Sequence, residues 1–313
     1  MITYSNLGKI YRGNLGNQMF QIASTIGIAE KNGHNYFFPA WQYSKYFEVQ
    51  LPVATKDESF KIIKEEKFNY YERDLREGNY DLDGWLQSEK NFEQIKIKEI
   101  FKFKKEFSKE LISKHHQLFS RKTILISIRR GDFVNNPYFF QTSFKYYLLA
   151  IFKNFPDWAD RNLVFTSDDI AYCKYHFSFL KNAFFLNNLS AIEQMALASQ
   201  FDDFVISNST FSWWMARLGE KENSKVIRPL KYFRGEYGKQ NNDSDYFPLR
   251  WVSFDENLYQ LEKKYFMLKI KAFVYSLFVN IKFRYLILKK MIKNFVKKLL
   301  IMLYLRKKEI NNF

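Results

Sequence analysis

The second half of the chain alternates short apolar runs with longer stretches of helical periodicity, and this alternation constrains the fold more than any other feature. Residues 123–128 form a β-branched apolar run, and similar runs return at regular intervals with helical segments between them. Strands separated by single helices form parallel sheets with right-handed crossovers. The pattern predicts strands over 123–128, 162–166, 183–186, 203–207 and 225–228, and helices over 143–154, 170–178, 190–199 and 211–219.

The first half carries the same pattern with less regularity. Apolar spacing predicts a strand over 8–12, a buried helix over 17–31 and further strands over 35–38 and 80–85. Residues 55–79 are polar and irregular, and a charged helical stretch over roughly 93–120 connects the two halves. We therefore expect an α/β protein in which two Rossmann-like lobes face a cleft.

The net charge of +16 is concentrated at the end of the chain. From Lys263 to Phe313 there are fourteen Lys or Arg residues and one acidic residue, which leaves thirty-five basic and thirty-two acidic residues in 1–262. A nearly neutral body argues against a nucleic-acid-binding protein. The charge boundary and the connecting stretch predict an N-terminal lobe over 1–120, a C-terminal lobe over 121–262 and a basic tail over 263–313.

The tail mixes lysines with aromatic and aliphatic residues. Its longest uncharged run, Ala272 to Ile281, is too short to span a bilayer. We expect a basic amphipathic helix that lies on an anionic membrane surface; the alternative is a helix that packs on the protein or on a second subunit. The N-terminus lacks a signal-peptide pattern. These features predict a cytoplasmic protein that associates peripherally with the inner face of the plasma membrane.

Two adjacent arginines follow the predicted strand 123–128, within the sequence Arg129-Arg130-Gly131-Asp132. Ligands of α/β proteins bind outside the carboxyl ends of the strands. Two guanidiniums at that place can hold a diphosphate through forked hydrogen bonds, and Gly131 permits a close backbone approach. The alternative is a pair of ordinary surface arginines.

Polar groups follow three more predicted strands. Each group also has a purely structural explanation as a turn or a helix cap. One of these groups is the turn with Gly13 and Gly16, which follows the predicted strand 8–12. This turn lacks both the GxGxxG pattern and a ribose-binding acid, so NAD binding is poorly supported. Because helix N-termini and hydroxyls at strand ends bind phosphates, the convergence of these groups predicts a nucleotide-sugar site. The candidates are Asn14, Asn17 and Gln18 in the first glycine turn, Asp168 after 162–166, and Asn208, Ser209, Thr210 and Ser212 after 203–207.

Five segments occur in one order over roughly residues 8–250: GNLGNQMFQIA, DGWLQSEKNF, IRRGDF, TSDD and NSTFSWWMARL. Together they resemble glycosyltransferase family 11, the α-1,2-fucosyltransferases. The resemblance implies a fold of the GT-B type and GDP-β-L-fucose as the donor. It further implies inverting transfer to the 2-hydroxyl of a galactoside, in surface polysaccharide or O-antigen synthesis, with no cofactor or metal.

The resemblance also implies roles for individual residues. Arg129 would bind the β-phosphate of the donor, and Arg130 would brace the site or assist. Asp132 is a candidate catalytic base, or a brace of the loop. Asp168 would contact the guanine or the ribose of the donor. Ser209 and Thr210 would contact its pyrophosphate. Asn17 and Gln18 would reach the donor across the cleft from the first lobe.

Ser127 departs from the family pattern. The family usually has a histidine two residues before the paired arginines, and in related fucosyltransferases that histidine helps to hold the base. A transferase for a different nucleotide sugar is therefore one alternative, with Ser127 among the donor-binding residues. A non-catalytic protein that binds a nucleotide or a polyanion is another.

Overall fold

The computed structural model describes residues 1–53 and 59–310. Its contacts divide the chain into a larger unit, residues 1–260, and a second unit, residues 261–313. The larger unit contains two parallel β-sheets with helices between their strands, so the predicted α/β class is confirmed. The predicted boundaries at 120 and 262 stay predictions.

The first sheet lies in the N-terminal half and has the strand order β2-β1-β4-β3, with every pairing parallel. The long helix of this half buries most of its residues, as its apolar spacing predicts. The elements are β1 (Ile2–Thr3), α1 (Leu15–Lys31), β2 (Tyr36–Phe37), β3 (Lys61–Lys64), β4 (Tyr80–Asp83), α2 (Ile97–Ile100) and α3 (Lys105–Lys114).

The second sheet has the order β10-β9-β8-β5-β6-β7 and is also parallel throughout. Its elements are β5 (Thr123–Ile128), α4 (Phe144–Asn154), β6 (Asn162–Ser167), α5 (Ile170–Phe177), β7 (Ala183–Phe185), α6 (Ala191–Ala198), β8 (Asp203–Ile206), α7 (Thr210–Gly219), β9 (Val226–Arg228), α8 (Gly235–Gln240) and β10 (Val252–Ser253). From β5 the chain proceeds through β6 and β7 in one direction and then returns through β8 to β10 in the other. Such a switch point leaves a crevice at the carboxyl ends of the two strands that flank it.

An aromatic cluster joins the two halves of the larger unit. Helix α1 packs against α7, where Phe20 lies 4.5 Å from Trp213 and 5.2 Å from Trp214 between ring centroids. All three side chains are fully buried. An ion pair of 2.6 Å between Glu89 and Arg217 also connects the halves. Burial and charge therefore fix the two sheets relative to each other.

The predictions for the second half are confirmed strand by strand, whereas the first half needs correction. Residues 8–12 do not form a strand: Gly8 has a φ of 78° and is followed by a 3-10 turn, Ile10–Arg12, in which Ile10 is 97% exposed. The strand that opens the first sheet is β1. The region expected to be irregular contains β3, and residues 55–58 of that region lie outside the described residues.

The second unit consists mainly of helix α9 (Phe266–Ile310), which confirms the predicted helical tail. By their spacing, Lys271, Lys282, Lys289 and Lys293 form one stripe along the helix, and Ile270, Leu277, Ile281, Leu288 and Phe295 form an apolar stripe about a third of a turn away. Within the described residues, no helix has the length and apolar character needed to cross a membrane.

Candidate functional site

A cleft of about 940 Å³ lies at the switch point of the second sheet, and residues from both halves line it. From the first half it is lined by the turn before α1 and by residues around β4. From the second half it is lined by the segments that follow β5, β6 and β8. Among the predicted site residues, those on its wall are Asn14, Asn17, Ser127, Arg129, Asp132, Asp168, Ser209, Thr210 and Ser212.

Arg129 is held at the cleft by two carboxylates. Its Nε and Nη2 donate to Oδ1 of Asp132 at 3.1 and 2.9 Å, and its Nε lies 3.1 Å from Oδ2 of Asp168. The guanidinium thus has a fixed orientation while a quarter of the side chain stays exposed to the cleft. A charged fork in that position suits a diphosphate.

Asp168 uses both carboxylate oxygens to hold the loop after β5. Oδ1 accepts a hydrogen bond from the backbone N–H of Arg130, and Oδ2 accepts one from Gly131, each at 2.9 Å. A Cβ atom on Gly131 would lie 2.5 Å from Oδ2, so this contact explains the glycine. The geometry assigns Asp168 a structural role on the cleft wall beside its predicted contact with the nucleoside.

Arg130 has a different environment from Arg129. Its guanidinium stacks 3.8 Å above the ring of Tyr172, and its Nε lies 3.1 Å from Asp169. Asp169 also accepts a hydrogen bond from the N–H of Tyr172 and thereby caps α5. Within the TSDD segment, Asp169 therefore caps the helix and Asp168 does not. Arg130 braces the loop from behind the cleft wall.

Four serines form a hydrogen-bonded cluster where β5 and β8 end. Oγ of Ser212 lies 2.7 Å from that of Ser127, 2.8 Å from that of Ser207 and 3.2 Å from that of Ser209. Ser209 additionally caps α7 by accepting from the N–H of Ser212. Ser127 thus fills the histidine position of the family pattern with a small hydroxyl group.

The N-termini of α1 and α7 meet at the cleft. A Cβ atom on Gly16 would lie 2.6 Å from the backbone nitrogen of Phe211, so only glycine permits this approach. Asn14 and Asn17 lie at the start of α1, and Thr210 lies at the start of α7. Two helix N-termini direct their free N–H groups and the positive ends of their dipoles to one place, which favours an anion.

Two predicted donor-binding residues lie away from the cleft. Gln18 is buried; it donates to the carbonyl of Gly13 at 3.1 Å and accepts from Nε1 of Trp41 at 2.8 Å. Asn208 is also buried, and its amide donates to the carbonyls of Phe140 and Tyr232. The structure therefore does not bring these two side chains to the cleft, because the amide N–H groups of both donate to backbone carbonyls and Gln18 also bonds to Trp41.

Several cleft residues were not predicted from the sequence. The base of the cleft includes Thr166, whose hydroxyl donates to the amide oxygen of Gln194. An aromatic wall contains Phe68 and Tyr232, stacked with 5.4 Å between ring centroids. Trp85 and Gln87 lie on the first-half side. The DGWLQSEKNF segment contained the last two but gave no indication of which side chains face a ligand.

The described residues provide neither a metal-binding cluster nor a reactive thiol. Among the described residues, no group of three or more His, Cys, Asp or Glu side chains is placed to hold a metal ion. Cys173 is buried, and burial raises the pKa of its thiol to about 12. This thiol stays protonated near neutral pH and is not a nucleophile.

Comparisons with known proteins identify relatives among sugar transferases. The chain is 32% identical to the O-antigen biosynthesis glycosyltransferase WbnK of Escherichia coli over 139 residues, which cover 42% of the chain and 44% of WbnK. It is 27% identical to an alpha-1,2-colitosyltransferase of Escherichia coli, with 78% of the chain and 97% of that protein covered. It is 28% identical to the galactoside 2-alpha-L-fucosyltransferase Sec1 of Mus musculus, with 66% and 62% covered.

The chain thus spans less than two thirds of the length of WbnK and of Sec1, and nearly all of the colitosyltransferase. The model of glycosyl transferase family 11 matches residues 8–254, which include every strand except β1 and every residue that lines the cleft. This protein belongs to glycosyltransferase family 11.

Proposed function

We propose that this protein transfers L-fucose from GDP-β-L-fucose to the 2-hydroxyl of a galactoside, with inversion at the anomeric carbon. The observation that carries the proposal is the convergence of Arg129 and two helix N-termini on one cleft. Negative charge develops on the departing GDP when the bond between sugar and phosphate breaks. Fixed guanidinium and N–H groups stabilise that charge, so the proposed reaction needs no divalent cation or cofactor.

In this proposal the diphosphate binds between Arg129 and the starts of α1 and α7. The acceptor oxygen attacks the anomeric carbon from the face opposite the leaving group and gives up its proton. Within the described residues, the carboxylates that line the cleft are Asp132 and Asp168. Because both oxygens of Asp168 accept backbone N–H groups, whereas Arg129 bonds only to Oδ1 of the more exposed Asp132, we assign the role of base to Asp132.

A different 6-deoxy sugar is the second candidate donor. A relative that the chain covers almost completely is named an alpha-1,2-colitosyltransferase, and colitose is a 3-deoxy form of fucose. The hydroxyl of Ser127 in place of the family's histidine also permits a donor with another base. By either donor, we propose that the acceptor belongs to a surface polysaccharide such as an O-antigen, as the name of WbnK suggests.

Ligand-dependent thermal unfolding tests the donor class. GDP should raise the Tm of the full-length protein, because a ligand that binds only the folded state stabilises it. UDP should raise the Tm much less. A Tm raised by UDP alone would support a different nucleotide sugar, and a Tm raised only by heparin would support a polyanion-binding protein.

We further propose that α9 holds the enzyme on the cytoplasmic surface of the plasma membrane. A stripe of its lysines runs beside a stripe of exposed apolar residues, among them Ile281 at 65% exposure and Phe295 at 66%. Such a helix binds anionic lipid through charge and through its apolar face. A membrane location suits an enzyme whose acceptor is a lipid-linked glycan.

A further inference from the structure

The loop that follows β4 has a backbone conformation that its sequence does not favour. Leu86 has a φ of 55°, in the left-handed region that residues with a side chain seldom adopt. The side chain of Leu86 is 2% exposed, so the conformation is enclosed by the surrounding structure. Backbone strain of this kind persists where neighbouring groups hold it, and it is concentrated at functional sites.

Glu65 holds this loop in place. Its Oε2 accepts from the N–H of Trp85 at 2.7 Å, and its Oε1 accepts from the N–H of Leu86 at 2.9 Å. Gly84 is required beside it, because a Cβ atom there would lie 2.4 Å from Cβ of Glu65. Burial raises the pKa of Glu65, and the two N–H donors partly oppose that rise. One carboxylate thus fixes two successive peptide groups.

The fixed loop presents an indole to the cleft. Trp85 is 39% exposed and lines the cleft, whereas Trp213 and Trp214 are fully buried. Tyr11 and Tyr43 line the same side of the cleft. Large aromatic rings with a partly exposed face provide rigid contact area for a ligand at a low cost in conformational entropy.

Gln87, two residues beyond Trp85, has an unsatisfied acceptor. The residue is 3% exposed and lines the cleft, and its Nε2 donates to Oδ1 of Asn17 at 2.8 Å. Its Oε1 is buried without a hydrogen-bond partner among the described residues. A buried acceptor left without a donor is costly, so this atom is suited to receive a hydroxyl from a molecule in the cleft.

We propose that Trp85 and Gln87 form the acceptor-sugar subsite of the cleft. The apolar face of a galactoside, made by the C–H groups at its carbons 3, 4 and 5, stacks on the indole of Trp85. One hydroxyl of the same ring donates to Oε1 of Gln87. Glu65 is a positioning residue that holds the Trp85 loop. This inference rests on the proposed function, because it assigns the second substrate of the same transfer reaction.

The test compares variants of the full-length protein in two binding measurements. Lactose binding in the presence of GDP is followed by saturation-transfer NMR, and GDP binding is followed by calorimetry. Trp85→Ala and Gln87→Met, which removes the acceptor oxygen together with the Nε2 donor to Asn17, should each weaken lactose binding roughly tenfold or more, a loss of about 1.4 kcal/mol. Trp85→Ala should keep the wild-type affinity for GDP, since Trp85 makes none of the contacts assigned to the donor. Phe179→Ala is the control, since Phe179 is 41% exposed and does not line the cleft.

Turnover supplies a second readout. Trp85→Ala and Glu65→Gln should raise the KM for lactose and leave the rate of donor hydrolysis by water near that of the wild type. Trp85→Phe should recover most of the affinity. Unchanged lactose affinity in both Trp85→Ala and Gln87→Met would overturn the proposal, as would a parallel loss of GDP binding in both.

The failure of this inference is distinguishable from the failure of the proposed function. If the wild-type protein transfers fucose to lactose but the variants keep its acceptor KM, only the subsite is wrong. If the wild-type protein transfers no fucose to any galactoside, the proposed function is wrong. Lactose binding that depends on Trp85 would in that case still support a sugar subsite at this loop.

Discussion

The alpha carbon of Gly16 and the backbone nitrogen of Phe211 approach so closely that a Cβ atom on residue 16 would stand 2.6 Å from that nitrogen. This contact brings the start of α1, in the first half of the chain, against the start of α7 in the second. Both helix N-termini consequently face one region of the cleft, where the account places the diphosphate of the donor.

Replacement of Gly16 by alanine should impair both stability and donor binding. The atoms that a methyl group would meet belong to the backbone of Thr210 and Phe211, which cannot rotate away. Overpacking of this kind costs about 1–3 kcal/mol, so the Tm should fall by several degrees and GDP affinity should fall with it. Gly33→Ala is the control: it places a side chain at a φ of 69° in open space, and it should leave GDP affinity unchanged.

Arg129→Ala should abolish transfer without unfolding the protein. The loss of a charge-assisted contact to the leaving group corresponds to at least ~100-fold in rate, and Arg129→Lys should also lose most activity because an ammonium cannot form the fork. Arg130→Ala should act mainly on stability, since Arg130 stacks on Tyr172 behind the cleft wall. Parallel measurements of kcat and Tm separate the catalytic effect of Arg129→Ala from the stability effect of Arg130→Ala. Near-normal turnover by Arg129→Ala would contradict the account.

Asp132→Asn should separate donor binding from catalysis. In the structure, the carboxylate of Asp132 accepts two hydrogen bonds from the guanidinium of Arg129, so it competes with a diphosphate for that group. The amide should bind GDP as tightly as the wild type or more tightly, yet fail to accept the proton of the acceptor hydroxyl. Calorimetry with GDP and a transfer assay check both parts. Full activity of the variant would remove Asp132 from the mechanism.

Much of the second half could be predicted from the sequence because its strands are buried and apolar. Thr123 to Ile128 are all buried, and a mainly apolar, β-branched run that ends in two arginines leaves little ambiguity. The first half was harder. Strand β3 begins and ends with exposed lysines and lies at the edge of its sheet, where charge is common but obscures the pattern.

The candidate site, too, could be predicted from the sequence only in part. Residues directly after a strand, such as Arg129 and Ser209, could be placed at the cleft because parallel strands end at one edge. Trp85 could not, since its position depends on the left-handed Leu86 and on Glu65, twenty residues earlier in the chain. Gln18 belongs to a motif that reaches the cleft, but its side chain fills a gap beside Trp41.

The tail should bind anionic membranes through the lysine stripe of α9. A full-length variant with Lys→Glu changes at 271, 282, 289 and 293 should no longer sediment with vesicles of phosphatidylglycerol and phosphatidylethanolamine, since each lysine near such a surface contributes about 1 kcal/mol. The same charge reversal at Lys105 and Lys109, exposed on α3, is the control. If the wild type does not sediment with the vesicles and the variant aggregates, the helix packs on the rest of the protein or on a second subunit instead.

A transfer assay tests the proposed function most directly. The full-length protein is incubated with GDP-β-L-fucose and lactose in the presence of EDTA, and the product linkage is determined by NMR. We expect an α-1,2-linked fucosyl galactoside at a rate that added manganese does not change. A product with another linkage, activity that returns only with manganese, or transfer from a UDP-sugar alone would contradict the proposed function.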